Sequence, residues 1–322
     1  MALKQVLEIA DLLDQPGADA QTFRRLFASR GLEGAEVARV RTKRGATSFF
    51  KLLIPGIQGR SAGKSAPTLG ILGYLGGVGA RPKKIGLVSD ADGAIAALAA
   101  ALKLTEMHRA GDRLPGDVIV TTHVSPASPI IPHDPVPFMS SPVGMAVMNQ
   151  YMVDPRMEAI LSIDATKGNR IINARGFAIS PTVKEGYILR VSEYLLAIQH
   201  HVTGRMPSVF AITTQDITPY GNGLFHLNSI LQPSTATDAP VVGVAITSEA
   251  VVPGSATGAT QEIDIELATR FVIEVGKSLE PGLARFYDRA EFARIVRLYG
   301  PMKHLQSLGR AAARRHRKVG RK

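Results

Sequence analysis

Six short apolar runs, each ending in polar residues, are spread between residues 68 and 249. They are TLGILGYLGG, KKIGLVSD, GDVIVTTH, AILSIDAT, SVFAITTQD and PVVGVAITSE. Continuous runs of Val, Ile and Leu at this length are typical of parallel strands that are covered on both faces. The sequence therefore predicts a three-layer α/β fold, with a mixed, largely parallel sheet and helices on both faces.

Helical patterns precede the first run and lie between several of the others. The N-terminal thirty residues predict two helices separated by Pro16 and Gly17, and two strands follow, AEVARVRT and TSFFKLLIP. Three further segments predict helices: GAIAALAAALKLTEMHR, KEGYILRVSEYLLAIQHHV and IDIELATRFVIEVGKSL. This alternation favours a single α/β domain over residues 1–300.

The formal charge of +11 is concentrated at the C-terminus. Seven of these charges lie in the last thirteen residues, RAAARRHRKVGRK, so the rest of the chain carries 11 − 7 = +4. A basic run with almost nothing to bury predicts a disordered tail, which we place at 301–322. Contact with RNA or a membrane through this tail is the alternative, and the body gives no signal for nucleic-acid binding.

The composition excludes several classes of protein. There is no cysteine, so disulfide frameworks, thiolate nucleophiles and Cys-ligated zinc are excluded, and any metal must be held by Asp, Glu, His or backbone oxygen. The sequence has no dinucleotide-binding glycine motif, Walker loop, G-x-S-x-G elbow or H-E-x-x-H. It also has no membrane-length apolar window and no signal-like N-terminus, which predicts a cytoplasmic protein.

Acidic and imidazole side chains stand where three of the predicted strands end. Asp90 ends KKIGLVSD, His123 ends GDVIVTTH, and Asp164 lies near the end of AILSIDAT. Ligands of doubly wound sheets bind beyond the carboxyl ends of the strands, and Asp and His are ligands suited to zinc or manganese. We expect these three to bind a metal; helix capping by Asp90, a structural role for His123 and a Lys167–Asp164 ion pair are the alternatives.

A second group of polar residues predicts a substrate-binding wall. One part follows Asp164 and the other lies around Gly221 and Gly223. Glycine lets a backbone approach a ligand closely, although a tight structural turn has the same composition. The predicted substrate-binding residues are Lys167, Asn169, Asp216, Tyr220, Asn222 and His226.

Two motifs resemble those of the di-zinc aminopeptidases of the glutamyl- and deblocking-aminopeptidase type. DADGAIAALAAALKL is similar to their segment D-D-R-x-G-L-A-A-L-L, which places Asp90 at the metal-bridging aspartate. AILSIDATKGNR is similar to their strand ending V-D-V-T, which places Asp164 at a ligand of the second zinc. The chain also resembles an uncharacterised bacterial family of unknown function. These resemblances imply an aminopeptidase-like (phosphorylase/hydrolase-like) fold.

Other positions depart from the aminopeptidase pattern. Tyr74, Leu75 and Gly76 replace the H-x-D motif, and His123, Val124 and Ser125 replace the paired glutamates. One hypothesis is a metal-dependent hydrolase of a peptide, amide or similar small substrate. The other is a non-catalytic ligand-binding or regulatory protein on a degenerate aminopeptidase scaffold. Either could form a homo-oligomer.

Overall fold

The structure is a computed structural model. It describes residues 1–77, 87–126, 128, 130–132, 138–167, 171–212, 227–249, 260–278 and 286–307.

The chain begins with two helices, α1 (Leu3–Asp14) and α2 (Ala20–Ser29). The carboxylate of Asp19 accepts backbone hydrogen bonds at the start of α2, which fixes where that helix begins. The hairpin of β1 (Glu36–Thr42) and β2 (Gly45–Ile54) follows. These four elements agree with the sequence prediction.

The remaining strands and helices alternate along the chain. They are β3 (Leu69–Gly77), α3 (Asp92–Arg109), β4 (Val118–Ser125), β5 (Ile130–Ile131), β6 (Phe138–Met139), α4 (Met145–Met152), β7 (Ala159–Ala165), β8 (Gly176–Ile179), β9 (Val183–Lys184), β10 (Tyr187–Ile188), α5 (Glu193–Thr203), β11 (Val241–Thr247), α6 (Glu262–Lys277) and α7 (Arg289–Tyr299). Short 3-10 helices cover Arg60–Ala62, Ser89–Ala91, Ser229–Thr235 and Lys303–Leu305.

Nine of the strands form one sheet in the order β1-β2-β4-β3-β7-β11-β9-β10, with β8 also paired to β11. The four central strands β4, β3, β7 and β11 are mutually parallel. The outer strands join them antiparallel. The predicted mixed, largely parallel sheet is therefore confirmed, and the carboxyl ends of its central strands share one edge.

Alternate residues of the central strands face two separate layers. Ile71 and Leu161 pack toward the layer that contains α1, α3 and α6, whereas Leu72 and Ile160 pack toward α4 and the 3-10 helix Ser229–Thr235. Both faces of the sheet are thus buried, which explains why these strands are apolar throughout. The prediction of helices on both faces is confirmed.

Three predicted elements differ from the structure. Asp90 belongs to the 3-10 helix Ser89–Ala91 rather than to a strand, and residues 83–86 of that run lie outside the described residues. The helix predicted over KEGYILRVSEYLLAIQHHV begins only at Glu193, because β9 and β10 form a hairpin before it. In SVFAITTQD, Val209 forms one bridge with Ile179, and residues 213–216 lie outside the described residues.

The beginning of the predicted basic tail contacts the domain. Lys303 forms an ion pair with Asp238, and the Gln306 amide donates to the Ser234 carbonyl at 3.4 Å. Residues 308–322 lie outside the described residues, so the division of the chain at residue 300 stays a prediction. Across the described ranges, every helix is too short or too polar to cross a membrane.

Candidate functional site

The start of α3 lies directly on the carboxyl ends of β3 and β7. A Cβ atom at Gly93 would stand 2.6 Å from the carbonyl oxygen of Ile163 and 2.9 Å from that of Tyr74. Only glycine permits this approach, because backbone atoms cannot move aside as a flexible side chain would. The close contact brings the aspartates that flank the start of α3 to the end of β7.

Asp164 is the central residue of this edge. It lies in β7 and is 2% exposed, and its Oδ1 accepts the Ala165 N–H at 2.8 Å. Burial raises the pKa of Asp164 well above its usual range, the charge of Asp90 raises that pKa further, and Asp92 adds to this effect. Ser229 also hydrogen-bonds the carboxylate. Asp90 and Asp164 thus face one another closely enough for their charges to interact.

A buried ion pair joins Asp92 to Lys167. The Lys167 ammonium contacts Asp92 Oδ2, and their side chains are 2% and 0% exposed. Burial raises the pKa of Asp92 to about 6, and the attraction of Lys167 limits this rise. Asp264 lies in the first turn of α6, and burial raises its pKa. The charge of Lys167 acts in the opposite direction and reduces this rise. One ammonium therefore compensates carboxylates from two helices.

The start of α3 differs in two ways from the alternatives given by the sequence. The N-cap of α3 is Ala91, with no side-chain cap hydrogen bond, so Asp90 is not the cap residue of this helix. Lys167 pairs with Asp92, a residue not considered as its partner, and its side chain is buried, whereas its role in substrate binding stays a prediction. Lys167 lies two residues after the end of β7, and its ammonium contacts the first residue of α3.

His123 lies on the same face of the sheet, but two strands away from Asp164. The parallel strand β3 separates β4 from β7, which puts the two Cα atoms roughly 10 Å apart. The Tyr74 side chain lies beside Asp164 on this intervening strand, and its hydroxyl donates to Asn149 Oδ1 at 3.3 Å. Burial and the charge of Asp164 both raise the pKa of Tyr74, so its hydroxyl stays protonated.

The His123 ring is enclosed by β2. Its Nδ1 lies 3.2 Å from the Thr47 hydroxyl, and its ring centroid is 6.0 Å from that of Phe49. Burial lowers the pKa of His123 to about 4, so the imidazole is neutral at pH 7. This chemistry suits a ligand or a fixed hydrogen-bonding group better than a general acid.

The charges of Asp90 and Asp164 interact, whereas His123 lies two strands away from Asp164. Among the residues that the structure describes, no group of three or more His, Cys, Asp and Glu is placed to hold a metal ion. The other predicted substrate-binding residues, namely Asn169, Asp216, Tyr220, Asn222 and His226, lie outside the described residues.

Sequence reasoning overlooked two contributors to this edge. Asp264 looks like an ordinary acidic residue in the first turn of a helix, and Tyr74 was noted only as a departure from a ligand position. Asp264 stands among the apolar residues of an amphipathic helix, and this position could have indicated that its carboxylate is buried. No local signal indicates that Tyr74 lies between His123 and Asp164.

A large open cavity lies at the opposite edge of the sheet. Its volume is about 2010 Å³, and it borders Pro67, Ala159 and Pro240, which precede or begin β3, β7 and β11. Its lining includes none of the residues predicted for the site. The buried aspartates with raised pKa values therefore lie at the carboxyl edge of the sheet, and this cavity lies at the amino edge.

A family model described as "Protein of unknown function (DUF1177)" matches residues 38–309. The chain belongs to this family. The expected membership of an uncharacterised family is thereby confirmed, whereas the aminopeptidase likeness of this DUF1177 protein stays a prediction. No curated protein matches the chain. A solved structure titled "Bottromycin maturation enzyme BotP in complex with Mn" is similar at 15% identity and a TM-score of 0.46, over 85% of this chain and 71% of that one.

Proposed function

We propose that this DUF1177 protein is a metal-dependent hydrolase that acts on a peptide, an amide or a similar small substrate. The observation that carries the proposal is the buried pair Asp90 and Asp164 at the carboxyl edge of the sheet. Two carboxylates buried side by side repel one another unless they share a proton or bind a cation. The end of a parallel sheet beside a helix start is also where ligands of such folds bind.

The residues present fit a divalent cation. Asp90 and Asp164 supply oxygen donors suited to manganese or zinc, whereas His123 lies two strands away from Asp164. A bound ion would supply an activated water and polarise the substrate carbonyl. Asp164 is held for this role by its hydrogen bonds to Ala165 and Ser229.

Metal content and turnover test the proposal together. Purified protein is dialysed against manganese or zinc, its metal is measured by elemental analysis, and hydrolysis of a panel of aminoacyl and N-acyl peptides is followed. We expect about one equivalent or more of metal and a turnover that Asp164→Asn abolishes without loss of folding. Asp238→Asn is the matched control, because Asp238 lies at the amino edge and is 59% exposed. Less than about 0.1 equivalent of metal in the wild type would refute the proposal.

A second candidate is a non-catalytic ligand-binding protein on the same scaffold. It is favoured by the environment of His123, whose ring is buried against Thr47 and Phe49 and has a pKa lowered to about 4. Such an imidazole is a poor proton donor at neutral pH. A ligand that binds with Asp164 dependence but is never converted would support this candidate over the hydrolase.

A further inference from the structure

The positive charge of this protein is concentrated in a stretch that begins before the basic tail. Residues 289–322 contain eleven Lys and Arg and a single acid, Glu291, so they carry 11 − 1 = +10. The whole chain carries +11, which leaves residues 1–288 with 11 − 10 = +1. The stretch starts with helix α7, so the structure places part of this charge. A strongly positive segment beside a nearly neutral body attracts a polyanionic surface.

Helix α7 is packed at its beginning and exposed at its end. The centroid of the Phe292 ring lies 5.6 Å from that of Tyr287 and 6.2 Å from that of Tyr187. At the other end of the helix, Leu298 and Tyr299 are 63% and 76% exposed. None of the residues of α7 is buried. The ring contacts therefore hold the first turns of the helix on the body, and two bulky apolar side chains stand in solvent at its end.

Exposed arginines lie beside this apolar end. Arg294 precedes Leu298 by four residues, so the two side chains are neighbours on the helix surface, and Arg297 precedes Leu298 directly. Both arginines are exposed. The Glu291 carboxylate, the one acid of α7, accepts a hydrogen bond from Arg190 Nε at 3.0 Å, so a cation of the body already offsets its charge. The end of α7 thus presents cationic and apolar groups together.

The apolar side chains distinguish between two kinds of polyanion. RNA is bound through its phosphates and through bases that stack on aromatic rings, and an exposed leucine contributes to neither contact. A membrane surface accommodates all three side-chain types. Leucine enters the boundary of the acyl chains, tyrosine lies at the level of the headgroups, and arginine contacts the lipid phosphates. The combination of Leu298, Tyr299 and the arginines therefore favours a lipid surface.

We propose that the end of α7 binds the surface of an anionic phospholipid membrane. Leu298 and Tyr299 enter the headgroup region, and Arg294 and Arg297 contact lipid phosphates. The basic run that begins at Arg310 lies outside the described residues, and its seven charges add attraction to the same surface. This binding is independent of the proposed hydrolase activity.

Co-sedimentation with vesicles tests the proposal on the full chain. One set of vesicles is phosphatidylcholine alone, and the other also contains about 30% phosphatidylglycerol, an anionic lipid. The protein should sediment with the anionic vesicles and stay in solution with the neutral ones. Leu298→Ser should weaken the binding about tenfold, because the leucine no longer enters the apolar boundary. Arg297→Gln should weaken it about fivefold, because one contact with a phosphate is lost.

Met206→Ser is the matched control. Met206 is 82% exposed and lies outside α7, so its replacement removes an equally exposed apolar side chain and should leave the binding unchanged. Thermal unfolding checks that each variant is folded, which the exposure of the replaced side chains favours. Sedimentation with both kinds of vesicle, or with neither, would overturn the proposal. Unchanged binding of folded Leu298→Ser would also overturn it, as would binding to a single-stranded RNA that does not respond to Leu298→Ser and is accompanied by no binding to vesicles.

Discussion

Replacement of two helical glycines by alanine should change the stability of the protein in opposite directions. Alanine favours a helix over glycine by up to about 1 kcal/mol, so either substitution would stabilise an isolated helix. In the protein, however, the two sites differ in the space left for a methyl group. Gly93 lies in the first turn of α3 and Gly276 near the end of α6.

The contacts decide the sign in each case. At Gly93 a Cβ would stand 2.6 Å from Ile163 O, 2.9 Å from Tyr74 O and 3.1 Å from Asp164 Cα, all of them backbone atoms of the sheet. Relief requires that α3 move off the strand ends, and overpacking of this kind costs about 1–3 kcal/mol or more. At Gly276 the nearest atoms, on side chains of Leu114 and Val118, are 3.5 and 3.8 Å away, which is ordinary contact.

We therefore expect Gly93→Ala to destabilise the protein by about 1–3 kcal/mol, and Gly276→Ala to stabilise it by about 0.5–1 kcal/mol. Denaturant titration monitored by circular dichroism measures both free energies of unfolding. Gly93→Ala should also weaken manganese binding, because displacement of α3 also displaces the adjoining 3-10 helix Ser89–Ala91, which contains Asp90. Equal stabilisation by the two substitutions would refute the close seating of α3 on β3 and β7.

Two further predictions follow from the charges of Asp92 and Asp164, and a third concerns the basic C-terminal run. The pKa of Asp92 is raised from 3.8 to about 6, so its contribution to stability is present below pH 4 and is lost as the pH rises through 6. The free energy of unfolding of the metal-free protein should fall by on the order of 3 kcal/mol over this pH range. Denaturant titrations of Asp92→Asn at the same pH values should lack this fall. Asp164→Asn should raise the unfolding midpoint of the metal-free protein at pH 7 by at least about 2 °C, because burial and the neighbouring acids disfavour the ionised carboxylate in the folded state. It should also abolish the rise in midpoint that manganese causes. A lowered metal-free midpoint would contradict this. Removal of residues 310–322 should leave the midpoint within about 5 °C of the full chain, as measured by thermal unfolding, because the run has almost nothing to bury.

The buried strands of the sheet were predictable because burial on both faces imposes continuous apolar sequence. β4, β7 and β11 coincide with the apolar runs from which they were predicted, and the Ala-rich run became α3. The hairpin of β9 and β10 was not predictable, because its apolar residues also fit a helical period. Its turn depends on Glu185 at φ 49° and Gly186 at φ 84°, and glutamate carries no signal for such a conformation.

The candidate site was predictable in position but not in its pairings. Strand-end residues are easy to find from the sequence, since each closes an apolar run. Which of them meet depends on strand order and register, and the intervening β3 separates His123 from Asp164. The partner of Lys167 was equally hidden, because Asp92 is 75 positions earlier in the chain and reaches it only through the packing of α3 against β7.

The electrostatics of α3 explain why so many acids can be buried at one edge of this sheet. The start of a helix carries a partial positive charge, and carboxylates within its first turn are stabilised by about 0.3–1 kcal/mol. Asp90 and Asp92 both flank that start, and Asp92 gains the Lys167 ammonium as well. Asp164 belongs to a strand, and the charges of Asp90 and Asp92 add to the effect of burial in raising its pKa well above the usual range. The helix start and Lys167 therefore favour the ionised forms of the α3 aspartates, whereas Asp164 lacks this help and its carboxylate is the form that the proposed cation would have to stabilise.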